Sequence, residues 1–199
     1  MKFGLMGRLF SAMFGKTVYG YTAKAVPGID ICTFKKKHLE EYRAMVMRTP
    51  SAGSMKENMF APVMYLACYG FKAVWYIREY FQRFAARTVP HLQRLIKILC
   101  LAKRIPKLFM RLSQKSFGTD AGFESRFPES HGNEARFDIV RCPYYETCRR
   151  YGCPEITTAF CDGDDVGYGH LHPRLLWGRT KTIGRGDPCC DFLLRYTSK

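Results

Sequence analysis

The chain has 199 residues, 47% of them hydrophobic and 15% aromatic, and a formal net charge of +15. That length suits one domain with a helical extension, and so many aromatic residues exclude a wholly disordered chain. The charge is one-sided: residues 1–120 hold 21 Lys and Arg against 6 Asp and Glu, whereas residues 121–199 hold 11 against 11.

In chain order, residues 1–30 read as an N-terminal arm. Met6, Leu9, Phe10 and Met13 share a helical face there, and Pro27-Gly28 marks a turn. Residues 31–120 read as a basic helical region. Apolar spacing predicts a helix over 34–47, with Leu39, Tyr42 and Val46 on one face and Pro50 as its stop. Ser54 and Glu57 form a capping-box pattern before a second, apolar helix that runs to about Ala86. A third helix is expected from Pro90, with Leu92, Leu95, Ile96 and Leu99 on one side and Arg94 and Lys97 on the other. Pro106 should break or kink it. The longest apolar run, Met59 to Phe71, has 13 residues. A membrane span needs roughly 20, so none is expected.

From Lys72 to Lys115 there are 11 basic residues and one acid, Glu79. Such a stretch is either a solvated face or a surface for an anionic partner. No nucleic-acid motif accompanies it, so nucleic acid is not the expected partner. Peripheral contact with an anionic membrane stays open as an alternative.

Residues 121–135 are rich in Gly, Ser, Pro and Glu and read as a linker or surface loop. Residues 136–199 form a Cys- and Asp-rich α+β region, expected to make one domain with 31–120. Phe137 and Ile139 alternate with Asp138 and Val140, which predicts a strand. A short helix over 145–151 stops at Gly152, and another begins at Pro154. Strands over 175–183 and 189–196 flank the turn 184–188 as a C-terminal hairpin. The expected fold is α+β, with N-terminal helices packed on a small antiparallel sheet.

Chemistry concentrates in two segments. On a helix from Pro154, Thr157, Cys161, Asp164, Asp165 and Tyr168 fall on one face. That face is either the polar wall of a pocket or a solvated acidic helix end. The second segment runs from Arg179 to Phe192, where alternation sends Cys189 and Cys190 to opposite faces. Arg179 and Asp191 there would also suit a cross-strand ion pair. Nine cysteines, an odd number, with no clear secretory signal, fit reduced thiols in the cytoplasm. Cys142, Cys148, Cys153 and Cys161 are separated by five, four and seven residues. Zinc knuckles use shorter paired spacings, so no cofactor is expected, and zinc is the metal those thiols would take if any. P-loop, Rossmann and serine-hydrolase motifs are absent.

Phe137…Arg141-Cys142-Pro143, Cys161-x-x-Asp164, Arg179-Thr180-x-Thr182-Ile183-Gly184-x-Gly186 and Cys190-Asp191-Phe192 together resemble the C-terminal signature of the L-2-amino-thiazoline-4-carboxylic acid hydrolase family. The resemblance covers about residues 136–196. The late Gly-x-x-x-Cys element is also similar to that of vinyl-reductase-like ligand-binding domains, which implies a non-catalytic small-ligand or sensory module as the alternative. The first resemblance implies hydrolytic opening of a small cyclic amidine, with water adding to the carbon between nitrogen and sulfur. On that implication Asp164 is the general base or water-positioner, and Cys161 or Cys190 the nucleophile candidate. Arg179 or Arg141 holds the substrate carboxylate. Asp191 orients a neighbour, Thr180 and Thr182 add hydrogen bonds, and Cys142 lines the pocket. A nucleophilic thiol would need a lowered pKa.

Overall fold

A computed structural model describes residues 16–48, 73–119, 122–129 and 132–198. The Met6–Met13 face, the Pro50 stop, the Ser54–Glu57 capping box and the Met59–Phe71 run lie outside these residues. The chain divides into two compact units, 1–80 and 81–199.

In the first unit, helix α1 covers 16–25 and α2 covers Ile31–Arg48. Asp30 starts α2: its carboxylate accepts from the Cys32 N–H at 2.9 Å and the Thr33 hydroxyl at 2.6 Å. This satisfies N–H groups that have no partner inside the helix. Val18, Phe34, His38 and Tyr76 are buried, and Thr22 shares a 2.6 Å hydrogen bond with Tyr76.

Helix α3, Ala73–Ile98, crosses the division between the units and has Pro90 inside it. The helix to Ala86 and the helix from Pro90 are therefore one. Proline removes the hydrogen bond to the carbonyl four residues earlier and crowds it. Ala85 and Ile96 are both buried, on one face either side of Pro90, so a continuous helix buries both. α3 ends at Cys100, which holds a left-handed φ of 49°. Pro106 does not break a helix either. It sits in the first turn of α4, Ile105–Ser116, where its missing N–H is no loss.

Strands β1 (Glu124–Arg126), β2 (Glu134–Arg141), β3 (Leu175–Gly178) and β4 (Cys190–Tyr196) form an antiparallel sheet in the order β1-β2-β4-β3. The fold class is α+β, as expected. β1 lies in the stretch read as loop; three residues are too few to show an alternation. Helices α5 (Pro143–Arg150) and α6 (Ile156–Tyr168) connect β2 to β3.

The period-2 pattern of β2 and β4 builds the core. Ala135, Phe137 and Ile139 pair with Leu194, Phe192 and Cys190, and all six are buried. Phe137 and Phe192 stack at 5.0 Å between centroids, and Phe109 of α4 meets Phe137 at 5.9 Å. The other face is polar, where Glu134 and Arg195 pair across strands at 2.7 Å.

The C-terminal hairpin differs from expectation in one respect. β3 ends at Gly178, not Ile183, leaving residues 179–189 as a long loop. Its N–H groups go to side chains in place of a ladder. Thr180 and Lys181 donate to Asp191, Thr182 donates to Asp187, and Ile183 donates to the Cys190 sulfur. Local side-chain acceptors thus compete with the sheet and win.

Candidate functional site

The loop 179–189 folds against α6, and this contact carries the chemistry. Gly184 makes the close approach possible. A Cβ there would meet Thr157 Cγ2 at 3.0 Å and Cys161 Sγ at 3.4 Å. Gly186, with φ of +97°, then turns the chain in a conformation that side chains disfavour.

Arg179 locks the two elements together. Its side chain is only 2% exposed. One terminal nitrogen donates to the Cys161 carbonyl at 2.9 Å and to Asp165 at 2.6 Å, and the other reaches Asp164 at 3.3 Å. The guanidinium also lies 5.6 Å from the centre of the Phe192 ring. The second oxygen of Asp165 accepts from the Trp177 indole N–H at 2.9 Å. Asp165 is thus held by two strong donors, whereas Asp164 has one long contact.

That inequality sets the character of Asp164. Burial pushes its pKa up, Arg179 opposes the rise and Asp165 adds to it, and the result is about 7. Yet 36% of the side chain remains accessible. The carboxylate is thus crowded by protein yet still reachable by water. Tyr168, one turn further along α6, is pushed up to about 12 by burial and by Asp164. It packs against Trp177 and Phe109, with centroids 5.0 and 5.1 Å away. Asp164 titrates where a general acid–base group is most effective at neutral pH.

The thiols converge on the same place. Cys161 and Cys190 are buried and reduced. Each feels the other or its neighbours: Cys161 senses Asp164, Cys190 and Cys142, and Cys190 senses Cys142, Arg179 and Asp164. Burial raises both, Cys190 to about 11. The lowered pKa that a nucleophile needs is not what this environment provides. Cys148, pushed up to about 12 by burial, is likewise a protonated core thiol at neutral pH.

The remaining expected site residues have local tasks. Asp191 accepts from the Thr180 N–H at 2.8 Å, the Thr180 hydroxyl at 2.6 Å and the Lys181 N–H. Partial burial opposes this, but the hydrogen bonds prevail and lower its pKa. The Arg179–Asp191 cross-strand pair does not form, because each has other partners. Thr182 is buried within the loop turn. Cys142 sits at the start of α5, its carbonyl accepting from the Glu146 N–H. Arg141 is exposed and binds both oxygens of Glu146, at 2.6 and 3.2 Å. Neither Arg141 nor Arg179 presents an open fork for a substrate carboxylate.

Sequence reasoning missed Trp177 and the anchoring role of Asp165. Trp177 reads as an ordinary strand aromatic, and only the turn between α6 and β3 brings its N–H to Asp165. Among the described residues, no three His, Cys, Asp or Glu side chains are arranged to hold a metal ion.

The fold and this arrangement define a small α+β domain in which Arg179 ties two aspartates of α6 to the loop 179–189. The profile of the L-2-amino-thiazoline-4-carboxylic acid hydrolase family matches residues 52–194, and the chain belongs to that family. No curated protein matches it. Among solved structures it is similar to an unliganded Fe(II) H-NOX protein from K. algicida and to a point mutant of that protein. Both are 10% identical, with TM-scores of 0.38 and 0.37. The alignments cover 94% and 95% of this chain and 96% and 97% of theirs.

Proposed function

We propose that the protein hydrolyses a small cyclic amidine of the 2-amino-thiazoline-4-carboxylate type, with Asp164 as the acid–base group. The observation that carries this reading is the carboxyl of Asp164, still reachable by water and shifted up to about 7. Family membership supports the reaction class.

Asp164, as carboxylate, takes a proton from water while the water oxygen bonds to the ring carbon between nitrogen and sulfur. The electron pair of the carbon–nitrogen double bond moves to the ring nitrogen, which takes that proton from Asp164. The carbon–sulfur bond then breaks as the added hydroxyl becomes a carbonyl, and Asp164 carries the hydroxyl proton to the departing sulfur, giving N-carbamoyl-cysteine. Atoms and charges balance with water as the only co-reactant. Arg179 acts as a positioning residue: it sets Asp165 firmly and Asp164 loosely, which leaves Asp164 able to exchange its proton. Cys161 and Cys190, kept as thiols, form an uncharged wall of low polarity that sustains the upward shift.

Turnover of aminothiazoline carboxylate by the purified protein tests this reading. Loss of turnover in Asp164→Asn, with Cys161→Ala retaining most of it, is the expected result. Tight ligand binding without turnover in the unaltered protein would replace it with the non-catalytic alternative.

A further inference from the structure

From residue 81 to residue 119 the chain carries nine Lys and Arg and no Asp or Glu. The hydrolytic reading uses none of them. The same stretch leaves large aliphatic side chains in water. Leu95, Ile98 and Leu99 of the α3 end are 50%, 66% and 54% exposed, and Leu108 and Leu112 of α4 are 49% and 55%.

Each helix has a distinct inner side. In the part of α3 from residue 81 onward the buried residues are Ala85 and Ile96, and in α4 they are Pro106, Phe109, Met110 and Ser113. Helical spacing places the exposed leucines between that inner side and the Lys and Arg positions. On α4, Leu108 and Leu112 are one turn apart and neighbour the exposed Lys107, Arg111 and Lys115. On α3, Leu95 and Ile98 border Arg94. The pattern is an apolar stripe with a basic margin, repeated on two consecutive helices.

Charge decides which partner fits. A second copy of the chain would bring another nine cations against these nine. A nucleic acid backbone would take the cations but offer the exposed leucines nothing. A bilayer rich in anionic lipid satisfies both: headgroups meet Lys and Arg, and leucine side chains enter the acyl boundary. No helix among the described residues is long and apolar enough to cross a membrane, so the contact is one of surface insertion. We infer that the C-terminal half of α3, together with α4, is a peripheral docking surface for an anionic lipid bilayer.

Co-sedimentation of the full chain with vesicles tests this inference. The probes are vesicles of phosphatidylcholine alone and of equimolar phosphatidylcholine and phosphatidylglycerol. Binding to the anionic vesicles should be at least about tenfold stronger and should fall as salt rises, because exposed charges are screened. Leu95→Asn with Ile98→Asn alters only exposed positions and should weaken anionic-vesicle binding at least about fivefold with net charge unchanged. Lys107→Glu with Arg111→Glu should abolish the preference for anionic lipid. Circular dichroism verifies that both variants keep their helices. Equal binding to both vesicle types, or no effect of the Leu95/Ile98 pair, would overturn the inference. So would light scattering that shows a dimer dissolved by the same substitutions.

Discussion

The α6–loop region and the α3–α4 region both concentrate charge, yet they treat it in opposite ways. Around α6, carboxylates and guanidinium groups answer one another: the buried Arg179 side chain meets Asp164 and Asp165, and the exposed Arg185 meets Asp162 at 2.9 Å. Along 81–119 no acid lies within the segment to answer the nine cations. Charge balanced internally fixes geometry and shifts one proton. An excess of one sign along 81–119 makes that segment basic. The difference explains how one small chain can hold both the proposed acid–base site and a basic surface.

The sharpest way to break the comparison is Asp164→Asn. It keeps the shape of the side chain and removes the exchangeable proton. Turnover should fall by about 10²–10⁴-fold, the range of general acid–base catalysis, in a steady-state assay. Loss confined to KM would sink the acid–base role.

Next is Arg179→Ala. It leaves two carboxylates side by side without their buried cation and should destabilise the domain by about 3 kcal/mol in urea unfolding. Arg94→Ala, on the outward-facing region, should change stability by less than about 0.5 kcal/mol. Equal effects at the two arginines would erase the distinction between the regions.

The pH dependence of stability sharpens the same point. The folded pKa of Asp164 lies above its unfolded value, so the folded chain binds more protons between about pH 4 and pH 7. The contribution of this residue to stability is therefore greatest at low pH and falls as pH rises toward 7. Asp164→Asn should flatten that decline. Asp191 works in the opposite sense. Its pKa is lowered, so its contribution is present above the ordinary carboxylate range and is lost as pH falls below it. Thermal midpoints measured across the acidic range and up to about pH 8 should show the two slopes separately in the Asp164 and Asp191 variants.

A smaller effect than that of Arg179→Ala is expected for Asp191→Ala. It frees the N–H groups of Thr180 and Lys181, which lie at the surface and find water. A loss of about 1–2 kcal/mol follows from hydrogen bonds to a charged acceptor. A loss in turnover larger than this fall in stability would mean that the loop itself shapes the proposed site.

Much of the fold was legible because its signals are local. The alternation of Phe137 and Ile139 and the stop at Gly152 each depend on neighbours within a few residues. The face of α2 was misread, since Phe34 and His38 are buried while Leu39 is exposed. The prolines misled for a stated reason. Pro90 alone forbids one hydrogen bond, but the buried Ala85 and Ile96 outweigh it. Pro106 begins a helix, because at the first turn the missing N–H has no partner to lose. Thr180 to Ile183 read as strand from side-chain type, but Asp191, Asp187 and the Cys190 sulfur capture their N–H groups.

Sequence alone determined the α+β class, the family signature, the one-sided charge and the grouping of Cys161, Asp164 and Asp165 on one helical face. These follow from periodicity and composition, which act over short chain distances. Only the tertiary structure decided that Arg179 is buried, that Trp177 anchors Asp165, and that Asp164 is left as the carboxyl with a shifted proton. Burial and partner choice are properties of groups far apart in the chain, and no local pattern encodes which of two adjacent aspartates receives the stronger donor.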